Sequence, residues 1–246
     1  MGADQGKMPG EDFLLERELF EHKLACLFPD DTQIVRLVVE SKPPGKLDGK
    51  LDVETDEGIA VGKIIYDGSR SSYDASGYSL EKRVFLDTEG CPLGVMSRST
   101  DIGTSYEWFL YGTRPRLHGQ QPSKEGAEAA KSLGKRVHFA DGAQFYDWAS
   151  IKDKKMSPMK RFGQDVKVKM ANGCGGYSPT DRYFACIYPE RDVAVTRQED
   201  KGGACLAKYS SVYHNTQTAY ERYELSVAPG IDPALMVCII AFCVDV

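Results

Sequence analysis

A chain of 246 residues, 41% of them apolar, can bury a sizeable core without disulfide staples, and it is long for one domain and short for two. Its 31 basic and 36 acidic side chains give a formal charge of −5, which argues against a general nucleic-acid coat. Charges run through the first twenty residues, which speaks against a secretory leader, and the longest apolar run, Ala234 to Val244, is too short to span a bilayer as a helix.

Residues 1 to 12 read as a loose tail broken by Gly2, Gly6, Pro9 and Gly10. Residues 13 to 28 place apolar side chains at 15, 19, 20, 24, 27 and 28, the stripe of an amphipathic helix suited to docking on the main domain. From residue 32 the character changes to short strands. Residues 34 to 41 are rich in β-branched side chains. Hairpins are expected over 51 to 67, around Asp56-Glu57-Gly58, and over 82 to 99, around Thr88-Glu89-Gly90. An aromatic strand follows at 104 to 113. Residues 114 to 135 hold few large apolar side chains and read as a long surface loop or a short helix over Ser123 to Leu133. Strand patterns return at 145 to 152 and at 165 to 172, where Val166, Val168 and Met170 alternate with Lys167 and Lys169. NGCGGYSPTD reads as a loop, 182 to 198 as a third hairpin and 220 to 228 as a strand. Last, Pro229-Gly230 breaks the chain, Asp232 is placed to cap a helix and Pro233 to begin it. A helix apolar on every side must be buried on every side, so among short strands its natural place is inside a closed barrel. Residues 84 to 98 and 183 to 197 share a strand–turn–strand pattern ending on Arg, which suggests two similar halves.

Three stretches together resemble the LURP-one-related family of the tubby C-terminal-like superfamily, to which phospholipid scramblases also belong. They are the closing YELSVAPGIDPALMVCIIAFCVDV, the Asp87-x-x-Gly90-x-Pro92-Leu93 piece with the YEWFLYGT strand (Trp108, Gly112), and DRYFACIYPERDVAV. The resemblance runs from about residue 32 to the end, broken by a basic insertion over 114 to 165. It implies a twelve-stranded barrel closed around the C-terminal helix, with residues 1 to 31 as a tail and 232 to 245 as the central helix. It implies no established enzymatic activity, and a non-enzymatic role is the expectation. Related tubby domains bind phosphoinositides, scramblases act on membranes, and the LURP-one-related branch is linked to plant defence signalling.

Enzyme signatures are absent from the sequence: there is no GxGxxG, P-loop, GxSxG or HExxH, and the four histidines (22, 118, 138, 214) are scattered. Seven cysteines without a CxxC pair fit reduced thiols and a cytoplasmic location. Cys238 and Cys243 read as packing residues, and Cys174, among glycines, as the exposed thiol. No cofactor or metal is expected. Charge is uneven: residues 114 to 170 carry 13 basic and 6 acidic side chains, against 7 and 14 in residues 1 to 60. Within that block Lys152, Lys154, Lys155, Lys160, Arg161, Lys167 and Lys169 form the candidate site for an anionic phospholipid or phosphoinositide, at the plasma-membrane surface. No stacking aromatics interleave with these charges, so nucleic acid is not the expected partner. The same block can also be read as a solvated loop. A protein-interaction scaffold that docks through the N-terminal helix or the 114 to 135 loop, and a scramblase-like protein, are the alternatives.

Overall fold

The computed structural model describes residues 24, 27–28, 32–40, 50–67, 82–98, 107–131, 137, 139, 142–153, 164–188, 192–197, 205–214 and 220–243. Twelve strands form one closed antiparallel barrel. In chain order they are β1 (Ile34–Glu40), β2 (Lys50–Thr55), β3 (Ala60–Asp67), β4 (Lys82–Asp87), β5 (Pro92–Arg98) and β6 (Glu107–Gly112), then β7 (Tyr146–Asp153), β8 (Gln164–Ala171), β9 (Tyr177–Ile187), β10 (Val193–Thr196), β11 (Cys205–His214) and β12 (Tyr220–Val227). Each strand pairs with its neighbours in the chain, and β1 closes the ring against β12. Helix α1 (Lys124–Lys131) lies between β6 and β7, and α2 (Pro233–Cys243) follows β12.

Alternation sets the two faces of the wall. Val35 and Leu37 of β1, Val166, Val168 and Met170 of β8, and Leu225 and Val227 of β12 point inward onto α2, where every residue from Pro233 to Ala241 is buried. The all-round apolar helix thus fills the barrel. Its N-terminus is capped as expected: Asp232 Oδ1 accepts from the Ala234 N–H at 3.0 Å and the Leu235 N–H at 3.4 Å.

Successive antiparallel strands alternate direction, so the β2–β3, β4–β5 and β8–β9 turns share one mouth with the N-terminus of α2. The turns use predictable chemistry. Asp87 Oδ1 accepts from the Glu89 and Cys91 N–H groups, and Gly90 takes φ +86°, which favours glycine. At the same mouth Leu24 is buried, with Phe28 and Leu27 packed nearby, so these three members of the N-terminal stripe dock on the barrel. The Leu24 N–H donates to Asp232 Oδ2 at 2.6 Å. Gly112 makes room for it, because a Cβ there would lie 2.5 Å from Leu24 Cδ1 and 2.6 Å from Trp148 Nε1. The remaining residues of the expected 13–28 helix lie outside the described ones.

A second, smaller core lies outside the wall. The insertion after β6 folds back so that Ala129 and Ala130 of α1, with Val137 and Phe145, cover the outward-facing Val84, Leu86, Val95 and Tyr111. Ser123 Oγ accepts the Gly126 N–H and caps α1. Gln120 ties the loop to β7 by donating to the Asp147 carbonyl at 2.6 Å.

Four readings need correction. Residues 205–214 form β11, which the sequence reading left unassigned. The NGCGG loop ends at Gly176, and the chain from Tyr177 is already β9. The span 114–165 is not one insertion, because β7 within it is a wall strand. The repeated hairpins fall on β4–β5 and β9–β10, five strands apart in a ring of twelve, so they are not equivalent in a division into halves of six.

Candidate functional site

Of the seven cations singled out in the sequence, Lys152, Lys167 and Lys169 are on described strands. Lys154, Lys155, Lys160 and Arg161 belong to the β7–β8 connection, which lies outside the described residues. The three described lysines share the outer face, because their strand neighbours Ile151, Val168 and Met170 fill the inside. The register brings them together: Lys152 pairs with Lys167, and Lys169 pairs with Ser150 on one side and Arg182 on the other.

Arg182 is the member the sequence reading missed. The signal was its place outside Tyr183 in the β9 alternation, but only the strand pairing puts it beside Lys169. Between these cations sits Phe184, opposite Lys167 and buried on the outer face. Lys167 Nζ lies 5.8 Å and Arg182 Cζ 5.3 Å from its ring centroid. The ring holds the two cations by cation–π attraction and covers their aliphatic stems. Like charges directly opposite in a sheet are destabilising. Glu107 faces Lys152 on its other side, so the unrelieved repulsion falls on Lys167, Lys169 and Arg182, where a bound anion would relieve it.

The adjacent part of the wall has the opposite character. Phe109, one strand from Ser150, lies at a tilt to Tyr177 at 5.7 Å and 33° and to Tyr111 at 6.4 Å and 32°. Burial, then the Asp147 carboxylate, push both phenols well above the usual tyrosine range, with Glu125 adding to each. Both phenols therefore stay neutral.

The cysteines divide as the sequence suggests. Cys174 and also Cys91 are exposed, Cys238 is buried and Cys243 is half-buried. Burial pushes the Cys205 thiol up to about 11, partly offset by Lys208, and raises Cys238 further, with Asp232 contributing. Such thiols stay protonated and are poor nucleophiles. Among the described residues no group of three or more His, Cys, Asp or Glu is placed to hold a metal ion, and no helix is long and apolar enough to cross a membrane.

No family model matches this chain, and no curated protein matches it.

Proposed function

We propose that the barrel is a non-enzymatic module that binds anionic phospholipid or phosphoinositide head groups at a membrane surface through the outer face of β7–β9. The observation that carries this reading is the clustering of Lys152, Lys167, Lys169 and Arg182 on one face, at the strands joined by the Lys154, Lys155, Lys160 and Arg161 connection. Each engaged cation is worth about 1 kcal/mol near an anionic leaflet. Four would give binding that is reversible and salt-sensitive. The resemblance of the closing segment to LURP-one-related proteins supports a cytoplasmic, peripheral role.

A protein scaffold is the weaker reading, since the apolar side of α1 is already spent on the wall. A scramblase-like protein with an inserted helix would have to empty the barrel of α2.

Flotation of the full chain with phosphatidylserine vesicles tests the proposal. Binding should weaken steeply between low and high salt. Changing Lys152, Lys167, Lys169 and Arg182 to Glu should abolish it while the melting curve stays cooperative. Equal flotation of wild type and variant would overturn the proposal.

A further inference from the structure

The wall beside the cations carries features that an anion does not use. Along the outer face, Phe109, Ser150, Lys169 and Arg182 follow one another across β6, β7, β8 and β9. The Phe109 ring reaches across to Tyr177 of β9, and Ser150, between β6 and β8, is 2% exposed. Tyr111 extends the row of rings. Tyr111 is 5% exposed because α1 covers its ring, so the open part of the row is Phe109 and Tyr177. Asp147 pairs with Tyr111 in register and makes no ion pair among the described residues, whereas Glu107, two residues before Phe109, stands opposite Lys152. Aromatic faces with a carboxylate such as Asp147 beside them attract a cation. Phe109 offers no hydrogen bond, so a large, weakly hydrated cation with apolar surface fits better than a small, strongly hydrated one.

The opposite charge stands close by. Lys169 is one strand from Ser150, a separation of about 5 Å. Apart from the Glu107–Lys152 pair, the face carries its rings and Asp147 toward β6 and its cations toward β9.

We propose that this face binds a zwitterionic phosphocholine-type head group, its quaternary ammonium on Phe109 and Tyr177 and its phosphate on Lys169 and Arg182. The phosphate half rests on the anion-binding reading above, whereas the ammonium half stands on the aromatic row alone.

Soluble probes separate the two halves. The full chain is titrated with choline chloride, phosphocholine and inorganic phosphate, following the N-methyl proton resonance and the heat of binding. The N-methyl signal should move upfield with choline and with phosphocholine, and phosphocholine should bind at least 10-fold more tightly than choline. Tyr177→Leu should lose about 10-fold and Tyr177→Phe, which keeps the π face, should retain binding. Changing Lys169 and Arg182 to Gln should bring phosphocholine down to the affinity of choline.

Flotation on phosphatidylcholine vesicles would assign the site to lipid, and binding of soluble phosphocholine without flotation would assign it to the free head group. Both support the site. An unmoved N-methyl signal with the wild-type chain overturns it, as does unchanged phosphocholine affinity in folded Tyr177→Leu. Phosphatidylserine flotation decides the preceding proposal separately. If that flotation fails while choline shifts persist, the ammonium site stands alone. If flotation succeeds and choline does nothing, only the anion reading survives.

Discussion

The two ends of α2 meet the same physical demand in different ways. The first is buried and the second half-buried at a barrel mouth, and both carry backbone groups that helical bonding leaves without partners. At the N-terminal end a carboxylate serves: Asp232 is fully buried, accepts two N–H groups of its own helix and takes a third from Leu24, 208 positions away in the chain. At the opposite end a guanidinium serves. Arg83 of β4 points inward beside Phe85, donates through Nη1 to the Ala241 carbonyl, and lies 5.0, 5.2 and 5.9 Å from the ring centroids of Tyr66, Trp108 and Phe242. An anion at the positive end and a cation at the negative end both complement the helix dipole. One device is local and the other is supplied by the wall, so a buried helix in a barrel can recruit its termini from distant strands.

Substitutions can break or sharpen this comparison. The largest effect is expected in the middle of the helix, where neither end can compensate. Ile239→Asp strands a charge in the barrel centre and should leave no folded monomer, a loss of more than about 4 kcal/mol read by circular dichroism and urea denaturation.

Next come the ends themselves. Asp232→Ala leaves three N–H groups without their acceptor and should cost about 2–4 kcal/mol in the urea midpoint. Arg83→Leu keeps apolar contact with the rings and should cost less, about 1–3 kcal/mol. Equal costs would show that the wall cap is as strong as the local one. Leu24→Ala should cost about 2–3 kcal/mol, and combined with Asp232→Asn it should fall short of the sum, because both changes release the same anchor.

A pH effect is smaller. The folded state holds the Cys205 proton up to about 11 against an ordinary value of 9.0. The unfolded chain therefore loses that proton first, and stability present below pH 9 should drain away as pH rises through about 11. Cys238, Tyr111 and Tyr177 act in the same direction. Urea midpoints under reducing conditions at pH 8 and 10.5 should differ, and Cys205→Ala should narrow the gap. The smallest effect belongs to the outer wall: Lys167→Gln should change stability by no more than about 0.5 kcal/mol, with a slight gain if the Lys152 repulsion matters.

The N-terminal end of α2 was legible in the sequence because its signals are adjacent: Asp232, Pro233 and an unbroken apolar run state both the cap and the burial. The alternation of inward valines with outward lysines in β8 was legible for the same reason. Arg83 was not, since a charge at the start of a strand ordinarily faces water, and only its enclosure by three rings and a carbonyl makes an inward place tenable. β11 was hidden by weak alternation, with Ser210-Ser211 in its middle and register shifts against both neighbours. The lysines of the basic face could be picked out singly. Their juxtaposition with Arg182, and the neighbouring aromatic row of Phe109, Tyr111 and Tyr177, depend on register, which local pattern does not encode.

The order of the elements along the chain has a consequence for biosynthesis. All twelve strands leave the ribosome before α2 does, yet α2 is what their inner faces are built to cover. The seam between β1 and β12 also joins segments nearly two hundred residues apart in the chain. A nascent wall therefore has inward-facing Val, Leu and Ile residues and nothing to enclose until translation has passed residue 243. Folding of this topology should wait until α2 has emerged and be slow, and the emerging strands should be natural clients for chaperones.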